Sequence, residues 1–190
     1  MLLISISAAV SAQVKVNQHK PAHGDYQGSS ITLPRLGPSV QQRSNNEKID
    51  VYQYAEPRAV DIHLHNAGEW KVKNDSWTWT VDVASPGAES INLGFTEYEM
   101  PEGASLKITS HQTGRSIGPF TISDNKDHGE LWTPIMRGDK MTIELSVPTA
   151  VKQQTKLKLS SINHGLIDVV TRSLSGDCNI DTRCGSEDGF

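Results

Sequence analysis

Between residues 69 and 162, apolar side chains recur at every second position in short runs, and polar or Gly/Pro-bearing turns separate those runs. This period dictates an extended chain with one side in a core and the other in water. Residues 77–83 place Trp77, Trp79, Val81 and Val83 on one face, and residues 141–147 alternate as cleanly. Shorter runs occupy 69–72, 91–95, 106–108, 120–122, 130–136 and 157–162. Turn signals fall between them at Lys73-Asn74-Asp75, Ser85-Pro86-Gly87, Met100-Pro101-Glu102-Gly103, Gln112-Thr113-Gly114 and Gly138-Asp139. Two earlier stretches, 49–54 and 60–65, also alternate and read as strands. No run follows a helical period. Strands at this spacing predict an all-β, antiparallel β-sandwich of jelly-roll-like type over residues 49–168.

The flanks differ in kind. Residues 13–48 are rich in Gly, Pro, Ser, Gln and Asn, with one apolar piece at 31–33, and read as a largely irregular leader. Ahead of it, residues 2–10 are apolar and Val10-Ser11-Ala12 supplies small residues, so residues 1–12 read as a signal peptide cut between Ala12 and Gln13. No Lys or Arg precedes that apolar run, which is too short for a membrane span of about 20 residues. The expectation is an exported protein with no membrane partner. A net charge of -4 and the lack of a basic block argue against nucleic acid as a partner. Hydrophobic residues make up 36% of the chain, enough for one modest core.

Candidate chemical groups are few. His63 and His65 share a strand face with Asp61, a spacing able to chelate a metal, but no further ligand is evident and two exposed histidines are expected instead. His19, His23, His111, His128 and His164 are scattered and read as exposed loop or leader residues. Residues 124–130 form an acidic loop with Lys126 in its middle and without the ligand spacing of a calcium loop, so a solvated turn is expected. Trp70, Trp77, Trp79 and Trp132 read as core or sheet-edge residues, the competing reading being a sugar-stacking platform. No GxSxG elbow and no Gly-Asp-Ser-Gly segment occur, and no catalytic triad, cofactor site or metal site is assigned. Cys178 and Cys184 stand alone near the C-terminus, too far apart in sequence for a paired zinc loop, and a bridge between them is sterically allowed.

Residues 175–184, Ser-Gly-Asp-Cys-Asn-Ile-Asp-Thr-Arg-Cys, resemble the start of the mature enzyme in the bacterial lysyl endopeptidase family of secreted trypsin-like serine proteases. A second, broader resemblance to that family's pro-region covers residues 56–165. It runs through Trp77-Thr78-Trp79, Ser85-Pro86-Gly87-Ala88, Leu93-Gly94-Phe95, Met100-Pro101-Glu102-Gly103-Ala104, Gly129-Glu130-Leu131-Trp132-Thr133-Pro134, Gly138-Asp139 and His164-Gly165. The resemblance implies a pro-region over residues 49–168, and over 169–190 a processing segment with the start of a catalytic domain whose triad and specificity pocket lie beyond Phe190. It implies cleavage between Arg172 and Ser173. The matching cysteines in the family pair with cysteines further along the catalytic domain. For Cys178 and Cys184 three states stay open: free, paired with each other, or paired between molecules. Two functions follow as expectations. One is a pro-region that assists folding of a protease catalytic domain, in cis or in trans, and inhibits it until cleavage. The other is a free-standing secreted β-sandwich module for a cell-wall or polysaccharide ligand.

Overall fold

The computed structural model describes residues 28–37 and 54–167. The expected signal segment, most of the leader, the strand at 49–53, and Ala12, Gln13, Arg172, Ser173, Cys178 and Cys184 lie outside the described residues.

Along the described chain run β1 (Ser30–Thr32), β2 (Ala55–His63), β3 (Glu69–Lys73), β4 (Ser76–Ala84), β5 (Ser90–Glu99), β6 (Ser105–Ser110), β7 (Ser116–Phe120), β8 (Leu131–Trp132), β9 (Met136–Arg137), β10 (Lys140–Pro148) and β11 (Lys156–Gly165). Two short 3-10 turns, Ile122–Asp124 and Thr149–Gln154, interrupt them. One sheet has the order β1-β4-β10-β6-β7 with β3 also on β4, and the other β2-β11-β5-β8 with β9 also on β5. From β2 onward, leaving β3 aside, every step except β6 to β7 and β8 to β9 crosses between sheets. That wrapped path is the jelly roll expected from the sequence.

Alternation builds the first sheet directly. In β10, Met141, Ile143, Leu145 and Val147 are buried while the residues between them are not. The nine-residue β4–β10 ladder runs from Lys140 opposite Ala84 to Pro148 opposite Ser76 without a register shift. Val81, Val83, Leu106 and Ile108 from this sheet join Ile91, Leu93, Phe95, Leu157 and Ile162 from the other in one apolar core. Fully burying each such side chain contributes about 1.5–3 kcal/mol.

The second sheet is less regular. The β5–β11 register shifts between Lys158 and Leu159 and again between Leu159 and Ser161. Thr96 of β5 and Ser160 of β11 are skipped in the pairing, and their hydroxyls meet at 2.5 Å. An extra residue in a strand bends it and exchanges which parity faces inward. Inward-facing positions in β11 accordingly pass from Leu157 and Leu159 to Ile162 and His164.

Other departures from the sequence reading have local causes. Within the leader, residues 30–32 pair with β4, and Ile31 and Leu33 are buried. β1 is parallel to β4, an exception to the antiparallel pairing of the other strands described. The run at 120–122 ends as a strand at Phe120, because Thr121 caps a 3-10 turn with Asp124 closing a capping box. The run at 130–136 divides into β8 and β9 around Thr133, whose hydroxyl accepts from Leu93 N (2.9 Å) while its own N–H donates to Leu93 O (3.0 Å).

Candidate functional site

The fold directs attention to the end where β11 leaves the domain. β11 lies between β2 and β5, so the last described strand is a central one. Its final backbone groups are held on both sides: Gly165 O accepts from Glu89 N (2.9 Å), and Leu166 N donates to Tyr54 O (2.9 Å). Gly165 sits so close to Ser90 that a Cβ there would lie 2.2 Å from its Oγ and 2.9 Å from its carbonyl oxygen. A side chain at this position would push β5 away.

Beneath this exit lies a polar group of three, in which Ser85 and His164 are buried and Arg58 is half-buried. His164 Nδ1 is 2.8 Å from Ser85 Oγ, and Arg58 donates to the same oxygen at 3.2 Å. Arginine only donates. Ser85 Oγ therefore accepts from Arg58 and shares one further hydrogen bond with the imidazole Nδ1. Burial pushes the His164 pKa below its usual value, and the Arg58 guanidinium pushes it further, against smaller opposing effects of Asp139 and Glu56. His164 is thus a neutral core residue, and the expectation of an exposed loop histidine is corrected here. Ser85, His164 and nearby Asp139 have the residue types of a hydrolase triad, but Ser85 is fully buried and its hydroxyl is committed. A nucleophile must reach substrate; this group fastens β2, β11 and the turn after β4 instead.

On the outer face of the first sheet a second histidine network is open to water. Thr142 Oγ1 donates to Asp82 (2.6 Å) and accepts from His111 Nε2 (2.7 Å), while the Lys140 ammonium is 2.8 Å from Asp82. Burial alone would raise the Asp82 pKa, but the hydrogen bonds and charge of Lys140, Thr142 and His111 outweigh it and hold it low.

The remaining sequence candidates separate. His63 ends β2, His65 lies in the turn beyond it, and their rings meet edge-on at 6.1 Å. Asp61, the third group considered there, is paired with Lys158 at 3.2 Å. Among the described residues no three His, Cys, Asp or Glu side chains are arranged to hold a metal. In the acidic loop, Asp124 accepts from Thr121 N (2.7 Å), and the Asn125 amide makes 2.9 Å bonds to both Met100 N and Met100 O. Its polar groups thus pin the loop to the end of β5. His128 is exposed in that loop, as expected.

The tryptophans form no shared platform. Trp79 is buried and donates to Ala67 O (2.8 Å). Trp70 and Trp77 are partly buried and meet edge to face, with the Lys152 ammonium 4.2 and 3.8 Å from their ring centroids. Trp132, in the second sheet, is exposed, lies over its cross-strand neighbour Gly94, and donates to Glu130 (3.1 Å). A different surface escaped the sequence reading: a groove of about 250 Å³ between β7 and β9, lined by Ile117, Pro134, Ile135 and Met136 with Arg115 and Arg137. Ile135 is among its exposed residues. No sequence signal marks it, because Ile117 and Met136 alternate like any core residue.

One comparison with known proteins bears on this arrangement. The family described as lysyl endopeptidase N-terminal domain matches residues 39–166, about two thirds of the chain. The match takes in every strand from β2 to β11 and ends one residue after β11.

Proposed function

Since the chain belongs to the lysyl endopeptidase N-terminal domain family, and so represents the N-terminal part of a protease precursor, we propose that its jelly roll is the pro-region of a secreted serine endopeptidase of lysyl or arginyl type. In this reading the sandwich packs on the catalytic domain that follows, assists its folding and keeps it inactive until the bond between Arg172 and Ser173 is cut. Residues 1–12 would direct export and be removed by a cut between Ala12 and Gln13.

The observation that carries the reading is the way β11 ends. The strand is fixed on both sides up to Leu166, and Arg172 follows Ile167 by five residues. Five extended residues span at most about 18 Å. A domain beginning at Ser173 is therefore tethered close to a rigid sheet, which raises its effective concentration against the sandwich to about the millimolar range typical of short linkers. Cleavage at Arg172 abolishes that tether and turns an intramolecular contact into a dissociable one. The covered indoles at Trp70 and Trp77 give the glycan-binding alternative no comparable support.

The test is refolding of the mature protease from denaturant with and without the full chain in trans. The expected outcome is a higher yield of folded enzyme, together with inhibition that is competitive with a lysyl substrate. Equal yields and unchanged activity across a concentration series of the chain sink the reading.

A further inference from the structure

The proposed function poses a physical problem: a domain that must survive contact with a lysine-directed protease itself carries lysines. Eight lysines lie among the described residues. Lys71, Lys73, Lys107, Lys140, Lys156 and Lys158 are in strands, where the backbone is tied into ladders and cannot enter a protease cleft without unfolding. Five of these six also hold carboxylates, at 3.2 Å (Lys71 to Glu69), 2.8 Å (Lys107 to Glu144), 2.8 Å (Lys140 to Asp82), 2.7 Å (Lys156 to Glu99) and 3.2 Å (Lys158 to Asp61). The sixth, Lys73, is followed by a two-residue hairpin turn in which Asn74 has φ 54. Lys152 is outside the strands, but its ammonium lies against two indole rings.

Lys126 differs from all of these. It sits with Asp127 and His128 at the exposed tip of the loop from β7 to β8, outside any regular element. Its ammonium has no partner among the described residues. The loop is held at its base rather than its tip, by Asn125 on Met100 and by Gly129 O accepting from Tyr98 N (2.7 Å). One turn bond, Gly129 N to Lys126 O at 2.8 Å, closes the tip itself. The loop also joins the edge strand of one sheet to the edge strand of the other.

We propose that the bond between Lys126 and Asp127 is a second processing site, hydrolysed by the lysine-directed protease that this domain precedes. Water is the co-reactant: the peptide C–N bond breaks, hydroxyl adds to the Lys126 carbonyl carbon, and the proton goes to the Asp127 nitrogen. This inference rests on the pro-region reading in its lysyl form. The basal anchors make the cut slow, since the tip must open before it fits a cleft, and the rate of such cleavage follows the population of the open form. The domain therefore persists long enough to act and is then opened at the link between its sheets.

The experiment is limited digestion of the folded full chain by a lysine-specific serine endopeptidase, read by mass spectrometry and N-terminal sequencing. Within residues 54–167 the first new N-terminus is expected to be Asp127-His128-Gly129-Glu130. Lys126→Gln removes that cut. Asn125→Ala, which frees the loop from Met100, accelerates it roughly thirtyfold, the effect of losing two hydrogen bonds of ordinary net strength. A first internal cut at any other lysine overturns the inference. So does a wild-type chain that stays whole in this region while its urea-unfolded form is digested. An unaltered cutting pattern in Lys126→Gln does the same. The refolding assay above is independent: a chain that promotes refolding but is not cut at Lys126 refutes this inference alone, whereas a chain without effect on refolding refutes the pro-region reading.

Discussion

The two sheets of this domain follow different rules. The sheet built on β4 and β10 keeps one register over its whole central ladder, and its apolar positions keep one parity. The sheet built on β5 and β11 changes register twice, and parity changes with it. The regular sheet supplies bulk apolar contact. Close glycine approaches occur in both sheets, but the one beside the chain exit belongs to the irregular sheet: Gly165 lies against Ser90, with the His164–Ser85–Arg58 group below it. Regularity and bulging thus divide the labour between a stable slab and an end from which a chain leaves at a fixed place.

Truncation in the regular sheet tests this contrast most severely. Leu145 is fully buried between β4 and β6, so Leu145→Ala should cost about 2–5 kcal/mol, the range for cavities in close-packed cores. Equilibrium urea denaturation measures it; a loss under 1 kcal/mol (roughly, a surface-like value) would mean the slab is not the stable half. An intermediate effect is expected for Gly94→Ala, whose Cβ would lie 2.3 Å from the Trp132 ring. Trp132 is exposed and can move, so the cost should be about 1–3 kcal/mol, as for overpacking, and should largely vanish in a Gly94→Ala, Trp132→Ala double variant. A double-mutant cycle checks this; strict additivity would show that the ring and the glycine do not interact.

The smallest effect separates the two histidine networks by pH. His164 has a depressed pKa in the folded state, so above its ordinary value of 6.5 the imidazole is neutral in both states and contributes no pH dependence. As pH falls below 6.5 the unfolded chain takes up the proton first, and stability declines. Asp82 is depressed from 3.8, so the stability it supplies is present above that value and is lost only as pH falls through its folded pKa. Denaturation midpoints measured between pH 7 and pH 3 should therefore fall in two stages. His164→Gln should flatten the upper stage and Asp82→Asn the lower. A wild-type midpoint that does not move between pH 7 and pH 5 would contradict the buried neutral imidazole.

What was legible in the sequence follows the same division. The runs at 77–83 and 141–147 announced β4 and β10 because unbroken alternation has one structural meaning. His164 was read as a loop residue because the last alternating run was ended at Ile162, whereas β11 continues to Gly165 and, past the skipped Ser160, turns His164 inward. β7 was only partly legible, since Gly118 and Pro119 are poor strand residues tolerated on an edge. β1 is three residues long and owes its existence to β4 alongside it, a tertiary cause invisible in local pattern. The exit site was legible only as the family resemblance around His164-Gly165; its burial and its partners Arg58 and Ser85 come from strands far apart in sequence.

The central placement of β11 has a consequence in time. Ribosomes add about 5–20 residues per second, so roughly 5–20 s separate the synthesis of β2 from that of the strand that must pair with it. Until β11 arrives, β2 and β5 lack the neighbour that joins them, and the sheet cannot close. The domain is therefore completed last at the point nearest the segment that follows. Whatever follows Ile167 is joined directly to the last strand the domain needs to close its second sheet.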